Sequence, residues 1–243
     1  MPLRIGFDMD GVIADFSTSF HDVEERLFGP GPGMGAGQPE KEEEAQTTPA
    51  DSEEPVSDAA VRPAEEFRNA RETRRRKDLI WQAIRSTPDF WTTLRPIDPA
   101  AVRRIHTLML EQRWEVFFIT QRPKTDGDTV QRQTQRWLVE QGFDLPSVLV
   151  LGGSRGAAAG ALRLDCHVDD SPQNCLDVLS ESRAKLILIV PDEDESTVTS
   201  ARKLGIGTAP SIGACLDILQ ETAAVRSQPG LLSRIASLVG WKQ

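Results

Sequence analysis

A short apolar run near the start of the chain ends in two carboxylates and a glycine. Residues 3–9 are mostly apolar, as in a strand that is buried on both faces of a parallel sheet. Since alternate side chains along a strand point to the same face, Asp8 and Asp10 should project together where the strand ends. Gly11 then allows a sharp turn and leaves room for a ligand. This strand therefore favours an α/β fold with a polar site at its carboxyl end.

The two carboxylates allow two interpretations. Two like charges this close raise each other's pKa unless a cation lies between them. Mg²⁺, a hard cation with oxygen ligands, suits two carboxylates together with a substrate phosphate. Asp and Gly are also ordinary turn residues, so a solvated turn after the strand is the alternative. The rest of the chain has to decide between a cation site and a turn.

Residues 7–16, Phe-Asp-Met-Asp-Gly-Val-Ile-Ala-Asp-Phe, resemble the nucleophile motif of the haloacid dehalogenase (HAD) superfamily of phosphohydrolases. The continuation from Gly11 to Phe16 resembles in particular the 5′(3′)-deoxyribonucleotidase-like branch. The resemblance covers residues 3–15 and about 114–190 well, and it covers the insertion between them poorly. It implies a doubly wound parallel α/β sheet, a HAD-like Rossmannoid core, with a small helical cap inserted after the first strand.

The resemblance also assigns roles to the acidic residues. Asp8 would be the nucleophile that forms an aspartyl-phosphate, and Asp10 would be the general acid and base. Mg²⁺ would be held by Asp8, the backbone carbonyl of Asp10 and a carboxylate of the pair Asp169-Asp170. Alignment of the apolar run before this pair makes Asp170 the direct ligand, with Asp169 behind it or as the alternative ligand.

Further residues match the phosphate-binding positions of the superfamily. Thr120, at the end of a predicted strand, matches the hydroxyl that binds phosphoryl oxygens, and Gln121 would contribute its backbone N–H. The superfamily usually has a Lys before its last motif, and the matching position here is Arg155. An Arg supplies the same charge and can bind a phosphate through two nitrogens. Arg122 and Lys124 are the alternatives for this cation.

The resemblance divides the chain into a core of residues 1–16 and 96–243 and a helical cap of residues 17–95. Within the cap, residues 29–63 are rich in Gly, Pro and Glu and offer little apolar surface to bury, so we expect a disordered loop. A tolerated loop insertion and a segment that docks a partner are both compatible with this composition.

Three aromatic residues follow the loop in the predicted cap. Residues 64–86 read as a charged helix that contains Trp81, and Phe90 and Trp91 follow in a turn. These rings could form a lid that stacks on a nucleobase and so select the substrate, or they could be the core of a small helical subdomain. The sequence does not distinguish the two.

After Asp98, apolar runs alternate with helical segments as in a doubly wound parallel sheet. In such sheets ligands bind beyond the carboxyl ends of the strands, where the candidate site residues lie. The predicted strands are residues 114–120, 148–151, 164–168 and 185–190, and the predicted C-terminal helices are about 211–224 and 230–239.

The bulk composition excludes some partners. A net charge of −9 over 243 residues argues against polymeric nucleic acid and anionic membranes but leaves room for a small phosphorylated substrate. The start Met-Pro-Leu-Arg-Ile has no signal-peptide pattern, so we expect a cytoplasmic protein. Its three cysteines, Cys166, Cys175 and Cys215, lack metal-ligand spacing and should be buried reduced thiols. A homodimer is compatible with the amphipathic C-terminal segment.

Together these patterns predict a Mg²⁺-dependent phosphomonoester hydrolase. A deoxyribonucleoside monophosphate is the first choice of substrate, because of the branch that the motif resembles and because of the aromatic residues of the predicted cap. A sugar phosphate is the enzymatic alternative. A non-catalytic relative that keeps the fold and the metal is the other alternative, favoured by the Arg at the Lys position and by the long acidic loop.

Overall fold

The computed structural model describes residues 2–31, 61–191 and 194–226 of the chain. In these ranges the strands are β1 (Arg4–Asp8), β2 (Ala14–Asp15), β3 (Arg95–Pro96), β4 (Glu115–Thr120), β5 (Ser147–Val150), β6 (Cys166–Asp169), β7 (Lys185–Ile189) and β8 (Gly207–Ala209). The helices are α1 (Phe16–Phe28), α2 (Val61–Arg85), α3 (Pro99–Glu111), α4 (Val130–Glu140), α5 (Arg155–Ala161), α6 (Pro172–Glu181), α7 (Glu195–Lys203) and α8 (Ile212–Arg226), with a 3-10 helix at Phe90–Thr92.

The main sheet is parallel throughout and has the order β5-β4-β1-β6-β7-β8. From β1 the chain passes to β4 and β5 on one side, then crosses to β6, β7 and β8 on the other. The strand order therefore reverses at β1, which is where doubly wound sheets bind ligands. The predicted doubly wound parallel sheet is confirmed.

Apolar side chains cover both faces of this sheet. Phe118 and Ile119 are neighbours on β4, yet they belong to different buried clusters, because alternate residues of a strand face opposite ways. Phe118 packs in the cluster that contains Phe7 of β1 and residues of α3 and α8, whereas Ile119 packs in the cluster that contains Val178 of α6. The expectation that β1 is buried on both faces is met, because its consecutive residues from Ile5 to Asp8 are all buried.

The segment between β1 and α3 adds a two-stranded sheet and two helices. β2 pairs with β3 in antiparallel orientation, and α1 packs against α2. Asp15 ends β2 and caps α1, since its side chain accepts a hydrogen bond from the backbone N–H of Thr18 at 3.0 Å. This cap marks the start of α1 at Phe16. The division into a core and a cap at residues 17–95 stays a prediction.

The structure also bears on the predictions for the loop, the C-terminal helix and the cysteines. α2 begins at Val61, so the last residues of the predicted loop 29–63 are helical, while residues 32–60 lie outside the described ranges. The predicted helix at 230–239 also lies outside them. The three cysteines are free and buried, as expected. None of the helices in the described part of the chain is both long and apolar enough to cross a membrane.

Candidate active site

Three polar side chains lie at the ends of three neighbouring strands. Asp8 is the last residue of β1, Thr120 the last of β4 and Asp169 the last of β6. Because β1 lies between β4 and β6 and all three run parallel, these ends meet at one edge of the sheet. The convergence that the sequence predicted at this edge is present.

Three carboxylates form a tight cluster at this edge. Oxygen atoms of Asp8, Asp169 and Asp170 all lie within 4.8 Å of one another. Burial and the charge of Asp169 raise the pKa of Asp8 well above its usual range. Burial and the same neighbouring charge raise the pKa of Asp170 to about 7. The cluster therefore carries more negative charge than its protein surroundings offset, and its hard oxygen donors are those that Mg²⁺ prefers.

Asp169 is held by hydrogen bonds from its surroundings. Its Oδ2 lies 3.0 Å from Nε2 of His167. Its Oδ1 accepts hydrogen bonds from the backbone N–H of Ser171 at 2.9 Å and from Nδ2 of Asn174 at 3.0 Å. Burial opposes the charged form, but the His167 contact and the charge of Arg155 outweigh it and lower the pKa of Asp169. With both oxygens engaged, Asp169 has less capacity for a metal than Asp170.

Asp170 packs directly against the backbone of Gly11. Gly11 has a φ of +85°, and a Cβ at this position would lie 1.8 Å from Oδ2 of Asp170. Only a glycine fits both the backbone angle and the carboxylate. The turn after β1 therefore brings Asp170 beside residues 8–11.

Of the three predicted cations, Arg155 is the one that contacts Asp8. It is the first residue of α5, and its Nη1 donates a hydrogen bond to Oδ1 of Asp8 at 2.5 Å. The same nitrogen lies 3.3 Å from Oδ2 of Asp169 and 3.4 Å from the backbone oxygen of Ile119. Burial alone would lower the pKa of this guanidinium, but the charges of Asp8 and Asp169 raise it. Lys124 is exposed.

The second predicted cation, Arg122, contacts Asp10 instead. Its Nη2 donates to Oδ1 of Asp10 at 2.7 Å, and its Nε lies 2.9 Å from Oδ2 and 3.1 Å from Oδ1. The side chain of Arg122 is fully buried, whereas that of Asp10 is 24% exposed. Sequence reasoning considered Arg122 only as a phosphate ligand and missed this pair. The signal in the sequence that could have indicated this pair is the position of Arg122, two residues after Thr120 at the end of β4.

Thr120 and Gln121 line the end of β4. Thr120 is buried, and its Oγ1 accepts a hydrogen bond from the backbone N–H of Arg122 at 3.3 Å. The side chain of Gln121 donates from Nε2 to the backbone oxygen of Gly153 at 2.8 Å. This bond ties the end of β4 to the turn that leads into α5, the helix that carries Arg155.

The three aromatic residues of the predicted cap are packed together in the interior. Trp81 and Trp91 both contact Phe16, with ring centroids 5.4 and 5.6 Å away. Phe90 packs edge-on against Trp91 at 5.1 Å, and all four rings are buried. This packing agrees with the second interpretation, the core of a small subdomain, and a role of these rings in substrate selection stays a prediction. The edge of Phe90 also borders a cleft of about 770 Å³ between α1 and the segment around Arg95.

Comparison with solved structures gives distant likenesses. No protein-family model matches the chain, and no curated protein matches it. A solved structure of a protein provisionally assigned as a beta-phosphoglucomutase from Thermotoga maritima aligns with a TM-score of 0.46 at 14% identity, covering 90% of this chain and 99% of that one. A HAD hydrolase of family IA, variant 3, from Entamoeba histolytica aligns with a TM-score of 0.43 at 13% identity, covering 87% and 94%. Likeness at this level supports no statement about activity.

Proposed function

We propose that this protein is a Mg²⁺-dependent phosphomonoester hydrolase that works through an aspartyl-phosphate on Asp8. The carrying observation is the meeting of Asp8, Asp170 and Arg155 at the switch point of the sheet, with carboxylate oxygens within 4.8 Å of one another and a guanidinium at 2.5 Å from Asp8. The likeness of residues 7–16 to the haloacid dehalogenase nucleophile motif supports the same reaction.

The donor set fits the expected metal. Mg²⁺ would be held by Asp8, Asp170 and the backbone carbonyl of Asp10. Asp169 would not bind the metal directly and would orient the neighbouring ligands. Burial and the charge of Asp169 raise the pKa of both Asp8 and Asp170, so a cation beside them would favour their ionised forms. When bound, the metal supplies positive charge that offsets the carboxylates and the phosphoryl group.

The chain's own residues divide the remaining work. A carboxylate oxygen of Asp8 attacks phosphorus, so that an O–P bond to Asp8 forms while the bond to the leaving oxygen breaks. Asp10 gives a proton to that leaving oxygen and later takes one from the water that hydrolyses the aspartyl-phosphate. The hydroxyl of Thr120, the backbone N–H of Gln121 and the guanidinium of Arg155 bind the phosphoryl oxygens and stabilise the charge that develops on them.

For the substrate we infer a deoxyribonucleoside monophosphate as the first choice, on the likeness of residues 11–16 to the nucleotidase-like branch. The buried faces of Trp81 and Trp91 lend no support to base stacking. The cleft beside Phe90 is lined by carboxylates and hydroxyls as well as two arginines, Arg26 and Arg95. The lining includes none of the residues Asp8, Asp10, Thr120 and Arg155, so the cleft does not choose between the substrates, and a sugar phosphate stays the second candidate.

Phosphatase assays of the purified full chain test this proposal. Deoxynucleoside monophosphates, ribonucleoside monophosphates, sugar phosphates and p-nitrophenyl phosphate would each be assayed with Mg²⁺ and with EDTA. We expect release of inorganic phosphate that requires Mg²⁺ and is abolished in Asp8→Asn. Wild-type protein as inert as Asp8→Asn across the whole panel would overturn the catalytic proposal.

One observation favours a non-catalytic alternative. Nη1 of Arg155 already engages Asp8 at 2.5 Å, and a nucleophile paired this closely with a guanidinium is less reactive. A binding protein would still take up Mg²⁺ and a phosphate analogue without turnover. Calorimetric titration with Mg²⁺ and orthovanadate, run beside the assays, distinguishes the two functions.

A further inference from the structure

We propose that Arg122 is a positioning residue that fixes the carboxylate of Asp10 for proton transfer to the leaving group. The inference rests on the proposed hydrolase function, and it concerns a residue to which the haloacid dehalogenase resemblance gives no such role. Arg122 and Asp10 are 112 residues apart in the chain, so their pairing is a product of the fold.

The contact between the two side chains restricts the carboxylate strongly. Nε and Nη2 of Arg122 both reach Asp10, at distances of 2.7 to 3.1 Å, and together they engage both of its oxygens. A contact through two nitrogens fixes the plane of a carboxylate as well as its position. Asp10 is thus held in one orientation at the partly exposed edge of the site.

The guanidinium is itself held from several directions. Its Nη1 donates to Oγ1 of Thr134 at 3.0 Å, and Thr134 is completely buried in α4. Its central carbon lies 4.8 Å from the ring centre of Trp91, an arrangement in which the ring attracts the cation. Each nitrogen therefore has a defined partner, and the group has little freedom to rotate.

Trp91 is fixed in turn by the segment that follows β4. Its indole Nε1 donates to the backbone oxygen of Pro123 at 3.0 Å, and its backbone N–H donates to Oε1 of Gln133 at 3.1 Å. The ring of Trp91, for which the sequence left a stacking lid and a helical core open, packs over Arg122 in the structure. The arrangement uses a buried arginine, a buried threonine and a buried tryptophan to hold one partly exposed carboxylate.

The rate gain that a general acid supplies depends on the leaving group, and so does the loss when the acid is misplaced. An alkoxide such as a sugar hydroxyl leaves poorly and needs a proton as its bond to phosphorus breaks, whereas 2,4-dinitrophenolate leaves without one. Loss of Arg122 should therefore slow alkyl phosphates far more than 2,4-dinitrophenyl phosphate. General damage to the site would slow both alike.

The experiment compares kcat/KM for an alkyl phosphomonoester and for 2,4-dinitrophenyl phosphate in the full chain with Mg²⁺. We expect Arg122→Gln to slow the alkyl substrate by about a hundredfold and the dinitrophenyl ester by less than about threefold. Arg122→Lys keeps the charge but lacks the two-nitrogen contact, and Thr134→Val removes one support. Both should give smaller losses with the same substrate bias, and they cover the case that Arg122→Gln does not fold.

A double-variant cycle and a matched control complete the test. In an Asp10→Asn background, Arg122→Gln should add little further loss on the alkyl substrate, because its effect acts through Asp10. Arg136→Gln breaks an ion pair between α4 and Asp89, at 2.8 Å, and should leave kcat/KM for both substrates unchanged. Equal losses of kcat/KM for both substrates, or full additivity with Asp10→Asn, would overturn the proposed role of Arg122 but not the proposed function. Wild-type protein without activity on either ester would overturn it together with the proposed function.

Discussion

Nη1 of Arg155 lies 2.5 Å from Oδ1 of Asp8, and both side chains are almost entirely buried. Asp8 ends β1 and Arg155 begins α5, so the pair joins the end of this strand to the start of the helix. Removal of one partner from a buried ion pair is strongly destabilising, because the other charge stays buried in a low-dielectric environment without a partner. The same guanidinium is the charge that the proposed reaction needs beside the phosphoryl oxygens.

The substitution Arg155→Gln should therefore reduce both activity and stability. We expect kcat/KM to fall by about a hundredfold or more, since one charged stabiliser of the transition state is lost, and unfolding to become easier by about 3 kcal/mol. Arg155→Lys should retain more of both. Steady-state kinetics and urea denaturation measure the two effects. Arg132→Gln, which removes an exposed arginine paired with Asp128, is the control, and equal losses in both variants would contradict the prediction.

The pKa of Asp170 is about 7 in the folded protein, against an ordinary value of 3.8, and this difference predicts a pH-dependent stability. Between these values the folded state holds a proton that the unfolded state has released, so the metal-free protein should lose stability as the pH rises from about 4 to about 7. Asp8 acts in the same direction. Mg²⁺ should restore the loss near neutral pH and have little effect in acid, where protons compete for the carboxylates.

Melting temperatures measured across this pH range, in EDTA and in Mg²⁺, check the prediction. Asp170→Asn cannot bind or release this proton, so its melting temperature in EDTA should vary less with pH and respond less to Mg²⁺. A wild-type melting temperature that rises through the same range, with an unchanged slope in Asp170→Asn, would count against the raised pKa.

Much of the fold follows from local sequence patterns, and the exceptions have physical reasons. β1 was predictable because it is a continuous apolar run. In a parallel sheet the carboxyl ends of neighbouring strands lie at the same edge, so the meeting of these ends was predictable too. α7 and β8 were not predicted. Among the side chains of α7, Ala201 is the buried one, and β8 is the three-residue run Gly207–Ala209. Neither carries enough apolar periodicity to stand out.

The candidate site was predictable in its acids and less so in its cations. Asp8 and Asp170 each follow an apolar run, which places them without knowledge of distant contacts. For the cation, Arg122, Lys124 and Arg155 all follow strands and satisfy the same pattern. Only the tertiary packing assigns Arg155 to Asp8 and Arg122 to the other carboxylate of the motif, because these contacts span more than a hundred residues.

The aromatic packing predicts that Trp81 stabilises the fold rather than selecting the substrate. Trp81→Ala should lower the free energy of unfolding by about 3 to 5 kcal/mol, the usual cost of removing a buried tryptophan. The ratio of kcat/KM for nucleotides to that for sugar phosphates should stay the same, in Trp81→Phe as well. Leu79→Ala, at an exposed position of the same helix, is the control. Loss of nucleotide preference without loss of stability would instead indicate a stacking role.

Gly11 offers a test of the acidic cluster that separates backbone strain from steric conflict. Gly11 and Gly142 both have a positive φ, of +85° and +97°, but a Cβ at Gly11 would meet Asp170 at 1.8 Å and one at Gly142 would meet nothing within 4 Å. Both Gly→Ala variants should lose about 1 to 2 kcal/mol of stability from the left-handed backbone. Only Gly11→Ala should also displace the Asp170 carboxylate and weaken Mg²⁺ binding by about tenfold or more. Urea denaturation and Mg²⁺ titration measure these effects, and wild-type Mg²⁺ affinity in Gly11→Ala would rule out Asp170 as a ligand in this position.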